Sequence, residues 1–367
     1  MSDRRNLGID LTRIVAFCCV PAIHFFINAG IYESTVDCNR MYMMVFARTF
    51  FRICVPLFLM ITGYLMSEKA VAIDRKGLLS FYSRLTKVVI LYVISEIVLL
   101  FMLAGYSGEP LTIKDAVFKI LSFNVGYEWY VEMYIGLFLM IPFLNLIWSH
   151  CAEKNQRLAV VVVFLLITTT YSIVNIFSLS SIDFVFHPWK SEEYTKLLPA
   201  WWNNLYPVSY YFIGAYIKKD VDASKINTLK LAVLLCICIT IFSVFNIWRC
   251  YSVPFIWGPW QEWGSAENVV DSTLVFLLIN SINYEKVPAV ISRVLGRISG
   301  LTFSAFILSK GVDVILYSEL NKSVPQVLMR LNYFPVMVGS VITISLLLSA
   351  IVQMIYRLIT ATYRSLL

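Results

Sequence analysis

The sequence predicts an all-α, polytopic integral-membrane helix bundle with about ten transmembrane helices and both termini in the cytoplasm. Three observations carry this expectation. The 367 residues are 59% hydrophobic and only 14% charged, where an ordinary soluble domain is about 25% charged. The mean hydropathy is +0.73. Apolar runs close to the roughly 20 residues needed to cross a bilayer recur along the whole chain. Only short polar stretches separate them, so 1–367 reads as a single transmembrane domain with no separate soluble domain.

The ten runs fall at about 11–31, 47–67, 85–104, 129–148, 157–178, 205–217, 230–248, 267–282, 299–318 and 335–356. The sixth and eighth are the shortest or most polar. Residues 1–5 are too short to begin a cleavable signal, and no small-residue cleavage site follows, so the first run is expected to stay in the membrane. Orientation follows from the Lys and Arg residues that flank the runs. Nineteen lie on the side of the N-terminus and ten on the other, which places both ends in the cytoplasm. The expected location is a bacterial cytoplasmic (inner) membrane, with membrane lipid as a constant partner.

The net charge of +7 does not imply nucleic acid, because the basic residues are dispersed among apolar runs and form no binding motif. No metal is expected either. Three histidines are scattered, and the eight cysteines form no C-x-x-C or His/Cys cluster. Cys38 and Cys250 fall in loops on the same, non-cytoplasmic side, where a disulfide is chemically allowed.

The first run holds the strongest functional signal. His24 lies deep within it, and an ionisable side chain inside a membrane span is costly and marks a functional site by default. The eleven-residue step from Arg13 to His24 is close to three helical turns, so both lie on one face, roughly 16 Å apart along the axis. Asp10 falls near the same stripe. Pro21 removes a backbone donor beside His24 and is expected to kink the helix.

Later runs add further candidates. In the second, Pro56 and Gly63 would bend or thin the helix for close approach of a backbone or a ligand. The third opens with Arg84 and Lys87 and carries Glu96 in its apolar body. The fourth begins Glu128-Trp129-Tyr130, with Glu132 four residues after Glu128 on one face; a solvated face is the competing reading. In the ninth, Lys310 and Asp313 are three apart and can pair inside the membrane. Asp271 is a further internal charge. The loop around 257–263 holds Trp257, Trp260, Gln261, Glu262 and Trp263. Two readings stay open for it: an interfacial aromatic belt, or a surface on which sugar rings stack while Glu262 and Gln261 bind hydroxyls.

Taken in order, these segments resemble a known pattern. The Arg13-to-His24 spacing, the run Val55 to Leu65 containing Thr62-Gly63-Tyr64, the basic Arg84, and the run Trp129 to Pro142 are similar to membrane-bound acyltransferase family 3. The likeness covers most of the chain and is closest to the branch that O-acetylates bacterial surface polysaccharides and enterobacterial common antigen. Members usually have Ser-Gly where this chain has Thr62-Gly63. Many also carry a His in a late span where this chain reads Phe306-Ile-Leu-Ser309, so a second catalytic His is absent there. The extracytoplasmic esterase-like domain fused to some members is also missing.

The resemblance implies an acyl-CoA, usually acetyl-CoA, as co-substrate rather than bound cofactor, and a hydroxyl of a lipid-linked or surface glycan as acceptor. Arg13 would then bind a CoA phosphate, with Arg84 and Lys87 as further donor-binding groups. His24 would act as general base, since an imidazole changes charge near neutral pH. Thr62, or a backbone N–H near Gly63, would stabilise the oxyanion if the segment does not simply pack. Glu128, Trp129, Tyr130, Glu132, Trp260 and Glu262 are the acceptor-side candidates. The alternative function is a glycolipid or small-anion transporter or flippase, because buried charges and aromatic mouths also mark translocation paths.

Overall fold

The computed structural model describes residues 6–123, 127–179, 182–190 and 194–366. Among them the protein is a helical membrane bundle without strands. The helices are α1 (Leu7–Asn28), α2 (Asn39–Phe51), α3 (Cys54–Met66), α4 (Arg75–Tyr82), α5 (Leu85–Ser107), α6 (Ile113–Leu121), α7 (Trp129–His150) and α8 (Lys154–Thr169). They continue with α9 (Tyr171–Val174), α10 (Asp183–Phe186), α11 (Tyr206–Asp220), α12 (Thr228–Arg249), α13 (Ala266–Asn280), α14 (Ala289–Ser323), α15 (Val327–Arg330) and α16 (Phe334–Leu366).

All ten expected runs fall on helices. Among the described residues, seven helical segments are long and apolar enough to cross a membrane by length and composition. The runs at 157–178, 205–217 and 267–282 are carried mainly by α8, α11 and α13, of 16, 15 and 15 residues. At about 1.5 Å per residue such helices reach only ~24 Å, less than the roughly 30 Å hydrocarbon core.

Local chemistry sets the helix ends. Asn6, Asp74, Asn227 and Ser265 each accept a backbone N–H from the first turn that follows, satisfying donors that a helix start leaves open. Glu153 and Gln156 form a reciprocal capping box at the start of α8. Pro56 has no N–H for the Arg52 carbonyl, so the helix that begins at Asn39 breaks between Phe51 and Cys54. Ordinary helical bonding resumes with Leu57 N donating to Ile53 O at 3.1 Å.

The chain groups into two compact units: Met1–Lys69 with Leu144–Pro288, and Ala70–Phe143 with Ala289–Leu367. The first contains α1, α2, α3 and α8 to α13. Its tightest contact is α3 against α11, where a Cβ on Gly63 would enter the Tyr211 carbonyl and one on Gly214 the Met60 carbonyl. Gly63 is therefore a packing position, and only hydrogen at this Cα allows the two backbones to approach. Asn145 ties down the end of α3 by donating to the carbonyls of Met66 (2.8 Å) and Lys69 (3.0 Å), and it accepts from the Tyr211 hydroxyl.

The second unit is built on α5, α14 and α16. Gly311 lets α14 approach Leu99 and Met102 of α5, and Ser349 of α16 donates to the Leu301 carbonyl at 2.7 Å.

All eight cysteines are free thiols, so the disulfide allowed between Cys38 and Cys250 does not form. Cys250 is buried and accepts the Ile256 N–H at 3.3 Å. Burial pushes its thiol up from the usual range. In the folded protein a maleimide should label half-buried Cys38 without prior reduction and leave Cys250 unlabelled until denaturant is added, read by peptide mass spectrometry. Gly63→Ala and Gly214→Ala should each lose roughly 1–3 kcal/mol of stability through overpacking. Gly136→Ala and Gly300→Ala, where an added methyl meets nothing within 4 Å, should be neutral or slightly stabilising in the same thermal-aggregation assay.

Candidate functional site

Asp10, Arg13 and His24 lie on the one continuous helix α1, which runs through Pro21 without a break. Asp10 is buried and its Oδ1 stands 3.9 Å from Arg13 Nη1, while the Arg13 side chain remains 29% exposed. His24 is half-buried. Two residues further, Phe26 stacks on Phe51, with ring centroids 6.4 Å apart. The far end of the α1 stripe thus adjoins the α2–α3 break.

Near the start of α1, a polar cavity of about 240 Å³ is lined by Asn6, Gly8, Tyr64, Asp222, Ser224 and Asn280, among others. Lys218 Nζ lies 5.1 Å from the Tyr64 ring centroid. A hydrogen bond from Ser224 and the ammonium of Lys225 hold the Asp222 carboxyl below its usual range. The cavity wall therefore keeps an anionic group near neutral pH.

The break at Pro56 sets two arginines, one turn apart, into the interior. Arg48 and Arg52 are both fully buried. Arg48 donates from Nη1 to Gln261 Oε1 (3.1 Å) and from Nη2 to the Tyr32 hydroxyl (2.8 Å). Its Cζ also lies 4.7 Å from the Phe255 ring and 5.0 Å from that of Trp257. Arg52 Cζ lies 4.4 Å from the Trp257 ring and 5.4 Å from that of Trp263. The loop after α1 reaches this core by zipping onto the loop after α12. Val36 N donates to Val253 O and Ser252 N to Val36 O, which brings Tyr32 beside Phe255.

Asn246 of α12 joins these pieces. Its Nδ2 donates to Thr49 Oγ1 and Glu267 Oε2, both at 3.0 Å, and its Oδ1 accepts from Trp260 Nε1 (2.8 Å) and Gln261 Nε2 (2.7 Å). Trp260 is buried, and Arg249 Cζ sits 4.4 Å from its ring centroid. Trp260, expected on the acceptor surface, is thus enclosed in the core with its ring against Arg249 rather than open to solvent. Glu262 is half-buried and accepts from Trp257 Nε1 at 3.2 Å. In the same unit the Thr62 hydroxyl donates to the Phe58 carbonyl at 2.9 Å, which uses the proton an oxyanion donor would need.

Asp271 is buried on α13 in the first unit, and the remaining sequence candidates lie in the second unit. Arg84 and Lys87 are exposed, Arg84 over the Phe81 ring at 5.3 Å and Lys87 near that of Tyr356 at 5.9 Å. Glu128 is buried and its side chain meets Glu96, whereas Glu132 is exposed. The two glutamates expected on one face thus have different surroundings. Trp129 is exposed, and Tyr130 packs edge-on against Phe306. Lys310 and Asp313 meet through Tyr127: the hydroxyl donates to Asp313 Oδ2 at 2.8 Å and the ring lies 5.1 Å from Lys310 Nζ. The tyrosine replaces the direct pairing that their spacing allows.

In the sequence Arg48 and Arg52 read only as flanking charges, and neither Asn246 nor Glu267 stands out. A signal was present: the two arginines are one helical turn apart, and Arg52 is enclosed by Phe50, Phe51, Ile53 and Val55. Among the described residues no group of His, Cys, Asp and Glu could hold a metal ion.

The family model of an acyltransferase domain matches residues 6–350. No curated protein and no solved structure matches the chain.

Asn246→Ala would leave the Trp260 and Gln261 donors and a Glu267 oxygen without their partner, at about 1–3 kcal/mol for each buried group. Trp260→Leu would lose its hydrogen bond, the Arg249 contact and ring volume, about 3 kcal/mol or more. Both variants should lower the thermal midpoint of the detergent-solubilised protein clearly, whereas Trp129→Leu, at an exposed position, should shift it little.

Proposed function

Since the chain belongs to acyltransferase family 3, a family of membrane proteins, we propose that it moves an acyl group, most simply acetyl, from cytoplasmic acyl-CoA to a hydroxyl of a lipid-linked or surface glycan. The observation that carries this reading is the single-helix arrangement of α1. It has an ion-paired but partly exposed Arg13 at one level and a half-buried His24 three turns further along. An extended pantetheine arm needs that separation between a charged anchor and a reacting end.

In this reading Arg13, held by Asp10, contacts a CoA phosphate through its planar N–H fork. The thioester lies beside His24. The acceptor hydroxyl oxygen attacks the thioester carbonyl carbon while His24 takes the hydroxyl proton. The new C–O bond forms, the C–S bond breaks, and the CoA thiolate leaves and takes up the proton. General-base assistance of this kind is usually worth about 10² to 10⁴ in rate. Arg84 and Lys87 are proposed as donor-binding residues on the strength of their exposure alone. The inner membrane is the proposed location, supported by the basic bias of one set of loops.

The test is mass spectrometry of surface glycans from cells that make the native protein or His24→Ala at matched membrane abundance. An ester-linked acyl group should appear with the native protein and fall at least about 100-fold with the variant. Equal acylation with both removes His24 as base. With purified enzyme, Arg84→Ala should raise the KM for acetyl-CoA about tenfold at little cost in kcat, as expected for loss of one charged hydrogen bond. An unchanged KM removes Arg84 from the donor site.

A further inference from the structure

The reaction above makes no use of Arg52, whose surroundings are unusual. The side chain is fully buried, yet none of its three guanidinium nitrogens has a hydrogen-bond partner among the described residues. Native proteins rarely leave such donors unpaired. Its electrostatic neighbours are Arg48, Glu267, Tyr32 and Glu262. One oxygen of buried Glu267 accepts from Asn246, and the other, Oε1, has no partner. Donors and an acceptor are therefore left open in one core.

Charge and hydrogen bonding give different answers here, and the difference identifies the ligand. Among the charges that act on Arg52, Arg48 adds a second cation and Glu267 and Glu262 two carboxylates, so formal charge around Arg52 itself is balanced and an anion finds no surplus cation there. Hydrogen bonding is not balanced: an N–H fork and a carboxylate oxygen are both open. A hydroxyl satisfies both, accepting from the guanidinium and donating to the carboxylate. The indoles of Trp257 and Trp263 lie against Arg52, and Trp257 is 38% exposed.

We propose that Arg52 and Glu267, walled by Trp257 and Trp263, form a binding site for the hydroxyls of a neutral sugar residue. This rests on the reading of the chain as a glycan acyltransferase and assigns its acceptor a location. Glu267 and Glu262 select against uronic acids and phosphate esters, because a ligand anion would face two carboxylates.

The experiment titrates the purified full chain in nanodiscs, without acyl-CoA, and follows tryptophan fluorescence. The probes are the methyl glycosides of glucose, galactose and mannose, then D-glucuronate and inorganic phosphate. At least one neutral glycoside should give a saturable change, with glucuronate and phosphate binding at least about tenfold more weakly. Arg52→Gln and Glu267→Gln should each weaken the glycoside about tenfold or more. Arg52→Lys, which keeps the charge and loses the fork, should weaken it while preserving thermal stability better than Arg52→Gln.

Tighter binding of glucuronate or phosphate than of every glycoside overturns the proposal in favour of an anion site. Absence of glycoside binding, or affinity unchanged in a folded Arg52 variant, overturns it outright. Acyl transfer from acetyl-CoA is measured separately on the same samples. Glycoside binding without transfer counts against the acyltransferase reading alone, and transfer without Arg52-dependent binding counts against this site alone.

Discussion

Asn246 uses all four of its hydrogen-bonding positions, and the polar interior of the first unit depends on that saturation. Its amide joins α2 through Thr49, α13 through Glu267, and the turn before α13 through Trp260 and Gln261. In an apolar bundle a half-satisfied network costs more than none. One side chain with two donors and two acceptors can close such a network without adding charge. The loop bearing Trp257 to Trp263 is thereby fixed to the helices, and Arg48 completes the attachment through Gln261.

A second constraint acts on the backbone. Pro56 withholds the donor that would continue the helix from α2 into α3, and the break leaves Arg48 and Arg52 directed into the aromatic loop. One and two turns after Pro56 the chain passes close to α11, at Met60 against Gly214 and at Gly63 against Tyr211. The run at 47–67 is thus divided: its first part carries Arg48 and Arg52, its second part packs.

The α1 stripe was legible from sequence because helical periodicity alone places Arg13 and His24 on one face, and a single helix carries the whole relation. The Asp10–Arg13 pair follows from the same local rule. The arginine core was not legible, since Arg48 meets Gln261 across 213 residues and Asn246 meets Thr49 across 197. No local period encodes such contacts. Trp260 shows the same limit from the other side. Its loop composition suits a sugar surface equally well, and only the packed structure shows Trp260 buried against Arg249 and Trp257 exposed.

By itself the sequence determined the class of fold, because an apolar fraction this high has no stable solution in water and the lengths of its runs match a bilayer. It also determined the helix caps, the break at Pro56 and the α1 stripe, all of which arise from neighbours within a few turns. Tertiary structure alone decided that Gly63 packs, that the Thr62 hydroxyl is already engaged, that Lys310 and Asp313 share Tyr127, and that Arg52 is buried without a partner. Those outcomes depend on which distant side chain fills the remaining space, and that is settled only when the helices pack.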